Sequence, residues 1–184
     1  YLAAKKEGGA FISLSQVYLP AVQKDHSLIE IPGSIESQLE ALFNKDFLDT
    51  FGRNAILLYP DTNKGQTYAH RFWELAIKNG VTITNVQAYE DGSQDFRVPV
   101  KRLLGLGYPR QRREELDMLK EIYSLEKNSS IKRLQYLQPE IDFDWAFLPV
   151  SPKEALQAIP SFHYHDASNL KLIGTPEWRS KRLF

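Results

Sequence analysis

Residues 53–61, which read Arg-Asn-Ala-Ile-Leu-Leu-Tyr-Pro-Asp, decide the fold of this chain. The four apolar residues in the middle of this stretch stand between a turn at Gly52 and a stop at Pro60. A short apolar run without polar alternation is typical of a strand whose two faces are both buried, as in a parallel sheet. The stretch therefore predicts the central strand of an α/β domain.

A helix over residues 64–79, closed by Gly80, and a second strand over 81–89 follow this stretch. One apolar stripe on the predicted helix faces the sheet, and its members are Tyr68, Phe72, Leu75 and Ala76. Strand, helix and strand with short connections form a right-handed parallel crossover. Ligands bind at the carboxyl ends of such strands, so the topology places Tyr59, Asp61 and Lys64 at a candidate site.

The composition limits the classes of protein to which this chain can belong. The 184 residues suffice for one domain with a substantial core. Lysine and arginine total 23 and aspartate and glutamate total 23, and this neutrality argues against nucleic acid or an anionic membrane as the main partner. The absence of cysteine excludes disulfides, thiolate metal sites and cysteine nucleophiles. No apolar run approaches the length of a transmembrane segment. Because the chain begins at Tyr1 rather than methionine, we expect it to be a piece of a longer protein.

The rest of the chain continues the alternation of strands and helices. The other predicted elements are a strand at 10–14, an extended crossover at 21–33, one helix from Ser34 to about residue 51, a helix opening at 95–96 with Val98, Leu103 and Leu104 on its inner side, a strand at 145–148, a helix at 152–162 and a strand at 170–173. The sequence therefore predicts an α/β fold, with a doubly wound, mainly parallel, Rossmann-like sheet.

A helical insertion at about residues 108–141 interrupts this alternation. Arg110, Arg112 and Arg113 are followed at once by Glu114 and Glu115, and an amphipathic pattern continues to about residue 126. The arginines could bind phosphate or RNA, but the neighbouring acids and the zero net charge favour a solvated helical excursion.

No strong catalytic motif is present, and no cofactor is indicated. The sequence has no nucleophile elbow, no phosphate-binding loop and no dinucleotide fingerprint. Asp61 stands where a receiver domain carries its phosphorylated aspartate, but no acidic pair accompanies it, which favours a turn-forming role. His163 and His165 are the residues whose types and spacing suit a metal, although no third ligand is predictable. Ser13 and Ser15 lie near a strand end, where serines more often bond backbone groups or a ligand than act as nucleophiles.

Several stretches of the chain occur in a familiar order, namely Phe11-Ile12-Ser13-Leu14-Ser15, residues 54–60, Asn79-Gly80, Tyr89, Asp95-Phe96 and Leu103-Leu104. In this order the chain resembles the type I periplasmic binding proteins, and within them the leucine/isoleucine/valine-binding branch. The C-terminal stretches are residues 142–149, Ile159-Pro160, Tyr164-His165-Asp166 and Leu172-Ile173-Gly174-Thr175-Pro176-Glu177-Trp178. They are similar to envelope proteins known as penicillin-binding protein activators. Together, the two sets of stretches extend over nearly the whole chain.

The resemblance implies two α/β lobes with a ligand cleft between them and no enzymatic reaction. Residues 1–33 would be the end of the first lobe and the crossover, and 34–184 would be the second lobe with its insertion. The cleft positions carried over from the family are Ser13, Ser15, Gln16, Asp61, Val150, Ser151, Thr175 and Glu177. Departures from the family, namely Gln16 with Val17 and the sequence Asn63-Lys64-Gly65, put amino-acid binding in doubt.

Three functions remain open from the sequence. The first is a periplasmic regulator or scaffold, anchored to the membrane by a segment outside this chain, whose partner is an envelope protein such as a peptidoglycan synthase. The second is a solute receptor for an amino acid or a similar small polar ligand, and the third is a Rossmann-like enzyme whose catalytic half lies elsewhere. The insertion favours the first, and it supplies the candidate interaction residues Arg112, Arg113 and Tyr123.

Overall fold

The computed structural model describes Lys6 and residues 11–13, 28–30, 34–107, 113–125, 139, 141–167 and 169–179. Its strands are β1 (Phe11–Ser13), β2 (Leu28–Glu30), β3 (Asn54–Pro60), β4 (Thr82–Tyr89), β5 (Trp145–Leu148) and β6 (Lys171–Gly174). Its helices are α1 (Ile35–Glu40), α2 (Lys45–Phe51), α3 (Asn63–Asn79), α4 (Arg97–Leu103), α5 (Arg113–Leu125) and α6 (Pro152–Tyr164). Short 3₁₀ turns follow α1 at Ala41–Phe43 and β6 at Pro176–Arg179.

Four strands form one fully parallel sheet in the order β4-β3-β5-β6. This confirms the predicted α/β class and the predicted parallel pairing of the strands at residues 55 and 81. The short strands β1 and β2 also pair parallel, but in a separate two-stranded sheet. We expected only extended chain where β2 lies, because three residues carry too little periodic signal to indicate a strand.

Strand β3 is the centre of the core because its two faces are buried against different helices. Ile56 and Leu58 belong to one apolar cluster with α4 and α6. Ala55 and Leu57 belong to the other, with α1, α2 and α3. All four residues are fully buried, as the unalternating apolar run predicts.

Helix α3 follows the prediction closely at both of its ends. Thr62 caps it, since its hydroxyl oxygen accepts a hydrogen bond of 3.1 Å from the Gly65 amide. Gly80 closes it in the left-handed conformation, with a φ of 65°. The stripe predicted on this helix is buried.

Two predictions in the flanking helices were wrong. The helix expected from residue 34 to 51 is broken at Asn44, whose extended backbone ends the first segment and whose side-chain oxygen accepts from the Phe47 amide to start α2. Val98 is 53% exposed, whereas Leu103 and Leu104, which were predicted on the same inner side, are buried, and Val100 completes the inward stripe of α4.

No helix in the part of the chain that the structure describes is both long and apolar enough to cross a membrane.

Candidate functional site

The carboxyl ends of the parallel strands lie at one edge of the sheet and surround an open cleft of about 490 Å³. Helices α3 and α6 both begin at this edge, directly after β3 and β5. The polar and charged residues that line the cleft are Thr62, Lys64, Asp91, Ser93, Gln94, Ser151, Lys153, Glu154 and Gln157. Cationic, anionic, amide and hydroxyl groups therefore converge on one concave surface.

The start of α3 approaches the end of β3 so closely that only glycine fits at residue 65. A β-carbon on Gly65 would lie 1.9 Å from the Pro60 carbonyl oxygen. This contact brings Thr62 and Lys64 to the wall of the cleft. The free amides in the first turn of a helix also give this wall a partial positive charge.

Asp61, a predicted site residue, connects three elements at the same edge. Its amide donates a 2.8 Å hydrogen bond to the Tyr89 carbonyl oxygen at the end of β4. Its carboxylate accepts one of 2.9 Å from the Gln66 side chain on α3. The residue lines a shallow depression beside the main cleft, with Glu90 and Asp91. Its backbone bond at the end of the strand is consistent with a turn-forming role, and its contact with a ligand remains a prediction.

Ser151 and Glu154 form a complete capping box at the start of α6. The Ser151 amide donates to the Glu154 carboxylate at 2.9 Å, and the Glu154 amide donates to the Ser151 hydroxyl oxygen at 3.4 Å. The Ser151 hydroxyl also donates to the carboxylate, at 2.7 Å. These bonds fix both side chains, so they form a rigid part of the cleft wall.

The predicted positions after β5 and β6 are held together by Trp178. Its indole nitrogen donates a 2.9 Å hydrogen bond to the Val150 carbonyl oxygen. Its ring lies so close to Gly174 that a β-carbon there would be 2.0 Å from the ring atom Cδ2. Val150 and Thr175 are both buried. The Gly-Thr-x-x-Trp sequence thus joins the ends of two neighbouring strands.

Glu177 reaches across the edge of the sheet to Lys64. The carboxylate and the ammonium are 2.7 Å apart, although both groups keep contact with water. Because β5 lies between β3 and β6, this ion pair spans the middle of the edge. It places Glu177 beside the cleft, at one of the two lysines that line it.

The other predicted site residues belong to the N-terminal part of the chain and to the helical insertion. Ser13 lies in β1, but its side chain is outside the described part of the chain, as are Ser15 and Gln16 entirely. Among the interaction residues, Arg113 is exposed at the start of α5. Arg112 and the side chain of Tyr123 are outside the described part.

Among the residues that the structure describes, His163 and His165 gain no third metal ligand. The Nε2 atom of His165 is 2.8 Å from the Arg97 carbonyl oxygen, so this nitrogen carries a hydrogen and donates. Within the described ranges, no three His, Asp or Glu side chains gather into a group that could hold a metal ion.

Several cleft residues were not among the predicted site residues, namely Asp91, Ser93, Gln94, Lys153 and Gln157. Residues 91–94 could have been predicted as cleft residues, because the predicted strand at 81–89 had to end at the same edge of the sheet as β3. Lys153 and Gln157 are one turn apart on α6, in a helix that the sequence did predict. What the sequence could not tell was which face of that helix lies toward the cleft.

Tyr89 lies behind the cleft wall and has an unusual electrostatic environment. Its hydroxyl is buried and has no partner with good hydrogen-bond geometry in the described structure, although the Glu154 carboxylate is close. Burial, followed by the negative charge of Glu154, raises the pKa of the Tyr89 hydroxyl far above its usual value of 10.0. Tyr89 therefore stays neutral in the folded protein.

Comparison with known proteins gives the fold. No protein-family model and no curated protein matches the sequence. Among solved structures, a provisionally assigned branched-chain amino acid ABC transporter protein from Rhodospirillum rubrum matches 98% of this chain, with a TM-score of 0.58 and 13% identity. An ABC transporter substrate-binding protein from Desulfitobacterium hafniense, solved with Leu, matches 95%, with a TM-score of 0.55 and 13% identity. Full-length LpoA from Haemophilus influenzae matches 99%, with a TM-score of 0.50 and 15% identity.

The chain covers 41%, 42% and 25% of these three structures, so it spans less than half the length of each. At these identities the matches establish the fold alone. The parallel sheet flanked by helices is that of one lobe of a type I periplasmic binding protein. The cleft lies at the carboxyl edge of that lobe's sheet.

The neutral state of Tyr89 leads to a prediction about alkaline stability. Above about pH 10 the tyrosine of the unfolded chain loses its proton while folded Tyr89 keeps it, so the free energy of unfolding falls as pH rises. Tyr89→Phe removes this contribution and should flatten the decline, as measured by urea unfolding between about pH 7 and pH 11.

At neutral pH the same variant should be close to wild type in stability, because the substitution removes a buried hydroxyl without a good partner. Tyr164→Phe, which changes an exposed side chain, controls for the loss of one tyrosine hydroxyl. An unchanged slope in Tyr89→Phe would contradict the electrostatic description of this residue.

Proposed function

We propose that this chain provides one wall of the ligand cleft of a non-enzymatic, periplasmic-binding-protein-like domain in the cell envelope. The ligand would be a small polar solute of the amino-acid type, as in a receptor of a transport system. The third function left open by the sequence, a Rossmann-like enzyme, is not supported by the matched structures, which are binding proteins.

The polar cleft at the carboxyl edge is the observation that carries this proposal. It offers the Lys153 ammonium and the Asp91 carboxylate on one concave surface, beside the Lys64–Glu177 ion pair. A zwitterionic solute needs groups of both signs, and the amides of Gln94 and Gln157 can hydrogen-bond the rest of it. The D. hafniense structure with Leu supports a ligand of this kind.

A single wall should bind such a solute only weakly. In a two-lobed receptor the ligand is buried between both lobes, which excludes the water that competes for its polar groups. We therefore expect a dissociation constant for free amino acids no tighter than about 1 mM, or roughly 4 kcal/mol of binding free energy.

Amide chemical-shift mapping of the isolated chain can test the proposal with L-leucine and a panel of other amino acids as probes. The shifts should concentrate at residues 61–66, 91–94 and 149–157. Lys153→Ala with Gln157→Ala should weaken the response about tenfold, because each substitution removes a polar contact. Lys171→Ala, an exposed lysine on β6 that does not line the cleft, is the matched control.

Shifts that cluster elsewhere, or that persist in the double variant, would contradict the cleft as the binding site. A complete lack of response to every probe would favour the second candidate below.

The second candidate is the envelope regulator or scaffold for peptidoglycan synthesis suggested by the sequence resemblance. Helix α5 favours it, since Met118 and Ile122 are large apolar residues exposed one turn apart. The match to LpoA, which covers 99% of this chain, is compatible with this candidate. Arginine and tyrosine are enriched at the energetic centres of interfaces, so Arg112, Arg113 and Tyr123 remain the proposed contact residues.

Replacing Arg112, Arg113 and Tyr123 by alanine should weaken co-purification of the full-length protein with a peptidoglycan synthase. Stability should change by only about 0.5 kcal/mol if these substitutions are at the surface. Alanine at Lys101, Arg102 and Tyr164, which are exposed on other helices, gives a control with the same loss of two cations and one tyrosine. Retention of the synthase by the first variant, or equal loss in both, would remove the support for this candidate.

A further inference from the structure

Strand β4 is an outer strand of the four-stranded sheet, and in the described residues its outer edge has little of the protection that edge strands usually carry. Its eight residues, Thr-Ile-Thr-Asn-Val-Gln-Ala-Tyr, include no charged residue and no proline. Within the described ranges, no strand pairs with its outer side. A register irregularity near Thr84 affects only its start, and residues 85–89 pair regularly with β3. Such an edge presents backbone groups to another strand, although the Ala88 carbonyl oxygen already accepts a hydrogen bond from the Gln87 side chain.

An apolar surface adjoins this edge. Val86 is 40% exposed on β4, and Trp73 and Ile77 are 48% and 71% exposed on α3. Val86 pairs in register with Leu57, so both side chains lie on the sheet face that α3 covers. Between α3 and β4 is a groove of about 370 Å³, lined partly by Leu57, Ala69, Trp73 and Val86. Exposed tryptophan, isoleucine and valine side chains gathered beside a free edge indicate a protein contact.

The two ends of β4 carry opposite charge. At its start, exposed Lys78 lies at the end of α3, while the nearby Arg53 guanidinium already donates to the Asn79 carbonyl oxygen at 3.0 Å and lies 3.9 Å from the Asp49 carboxylate. At its finish, Glu90 and Asp91 follow directly. An uncharged middle between a basic end and an acidic end is self-complementary when two copies meet in antiparallel orientation.

We propose that β4 pairs antiparallel with β4 of a second copy of this chain, about a twofold axis near Val86. Pairing joins the two four-stranded sheets into one and brings Lys78 of each copy toward Glu90 of the other. Trp73 and Ile77 then meet a second apolar surface across the axis. Because the two sheets run in opposite directions, the clefts at their carboxyl edges face opposite ways and stay open.

The charge pattern of the β4 edge distinguishes this dimer from a complex with an extended segment of another protein. A foreign strand would use the same backbone groups and the same groove. A foreign strand, however, is not required to have a basic end and an acidic end in the order that complements β4. The second copy carries them necessarily, because a twofold contact is formed by the same surface on both copies.

Sedimentation velocity over a concentration series tests the proposal on the 184-residue chain. Wild type should show a reversible monomer–dimer equilibrium, and Val86→Lys should raise the dimer dissociation constant about tenfold or more, since two like charges then face each other near the axis. Val98→Lys is the matched control, because Val98 is also a surface valine but lies on α4. A wild-type chain that stays monomeric at about 0.1 mM, or equal effects of both variants, overturns the proposal.

A charge exchange tests the orientation independently. Lys78→Glu and Glu90→Lys each place like charges together across the interface and should each weaken the dimer several-fold. The double variant restores opposite charges and should regain most of the wild-type affinity. Both residues are exposed, so thermal unfolding at a concentration that keeps the chain monomeric should verify intact folding. A double variant weaker than either single variant excludes the antiparallel contact, and the edge would then be assigned to a foreign strand.

Discussion

The pairing of β3 with β5 is the contact on which the rest of the structure depends. Ala55, Ile56 and Leu57 pair with Trp145, Ala146 and Phe147, and all six residues are buried. Each leucine or isoleucine buried in this way contributes about 1.5–3 kcal/mol relative to exposure. The partly exposed Lys64–Glu177 ion pair contributes at most about 1 kcal/mol. Apolar burial on both faces of this strand pair therefore holds the lobe together.

Trp145 extends this contact to the helices on one face. Its ring makes edge contacts with Phe43, Phe47 and Phe72, and its indole nitrogen donates to the Gly52 carbonyl oxygen at 3.2 Å. Because β3 and β5 are fixed side by side, the helices that follow them must start side by side as well. The first turns of α3 and α6 then form opposite parts of the cleft wall. The site is a consequence of strand order, which is the general rule for open parallel sheets.

Much of the architecture could be predicted from local sequence, because β3 is a bounded apolar run and α3 carries a stripe with a cap at both ends. The break at Asn44 could also have been predicted, since an asparagine followed by Asp46 is typical of a helix start. The apolar stripe across this position, however, indicates one continuous helix. The cleft was less predictable. Its side chains come from three separate loops and one helix face, and their convergence depends on tertiary packing rather than on any local pattern. Trp178 was found only as part of a family resemblance, and its role of joining two strand ends became visible in the folded chain.

Hydrogen exchange followed by mass spectrometry tests most directly whether the β3–β5 pair is the centre of the fold. Peptides that cover residues 55–58 and 145–148 should exchange last, through global unfolding, while those that cover α5 should exchange earlier through local opening. If the β3 peptide exchanged as fast as the α5 peptide under native conditions, the sheet would not be organised around this pair. The first turns of α3 and α6 would then not be fixed side by side, and the cleft would have no rigid wall.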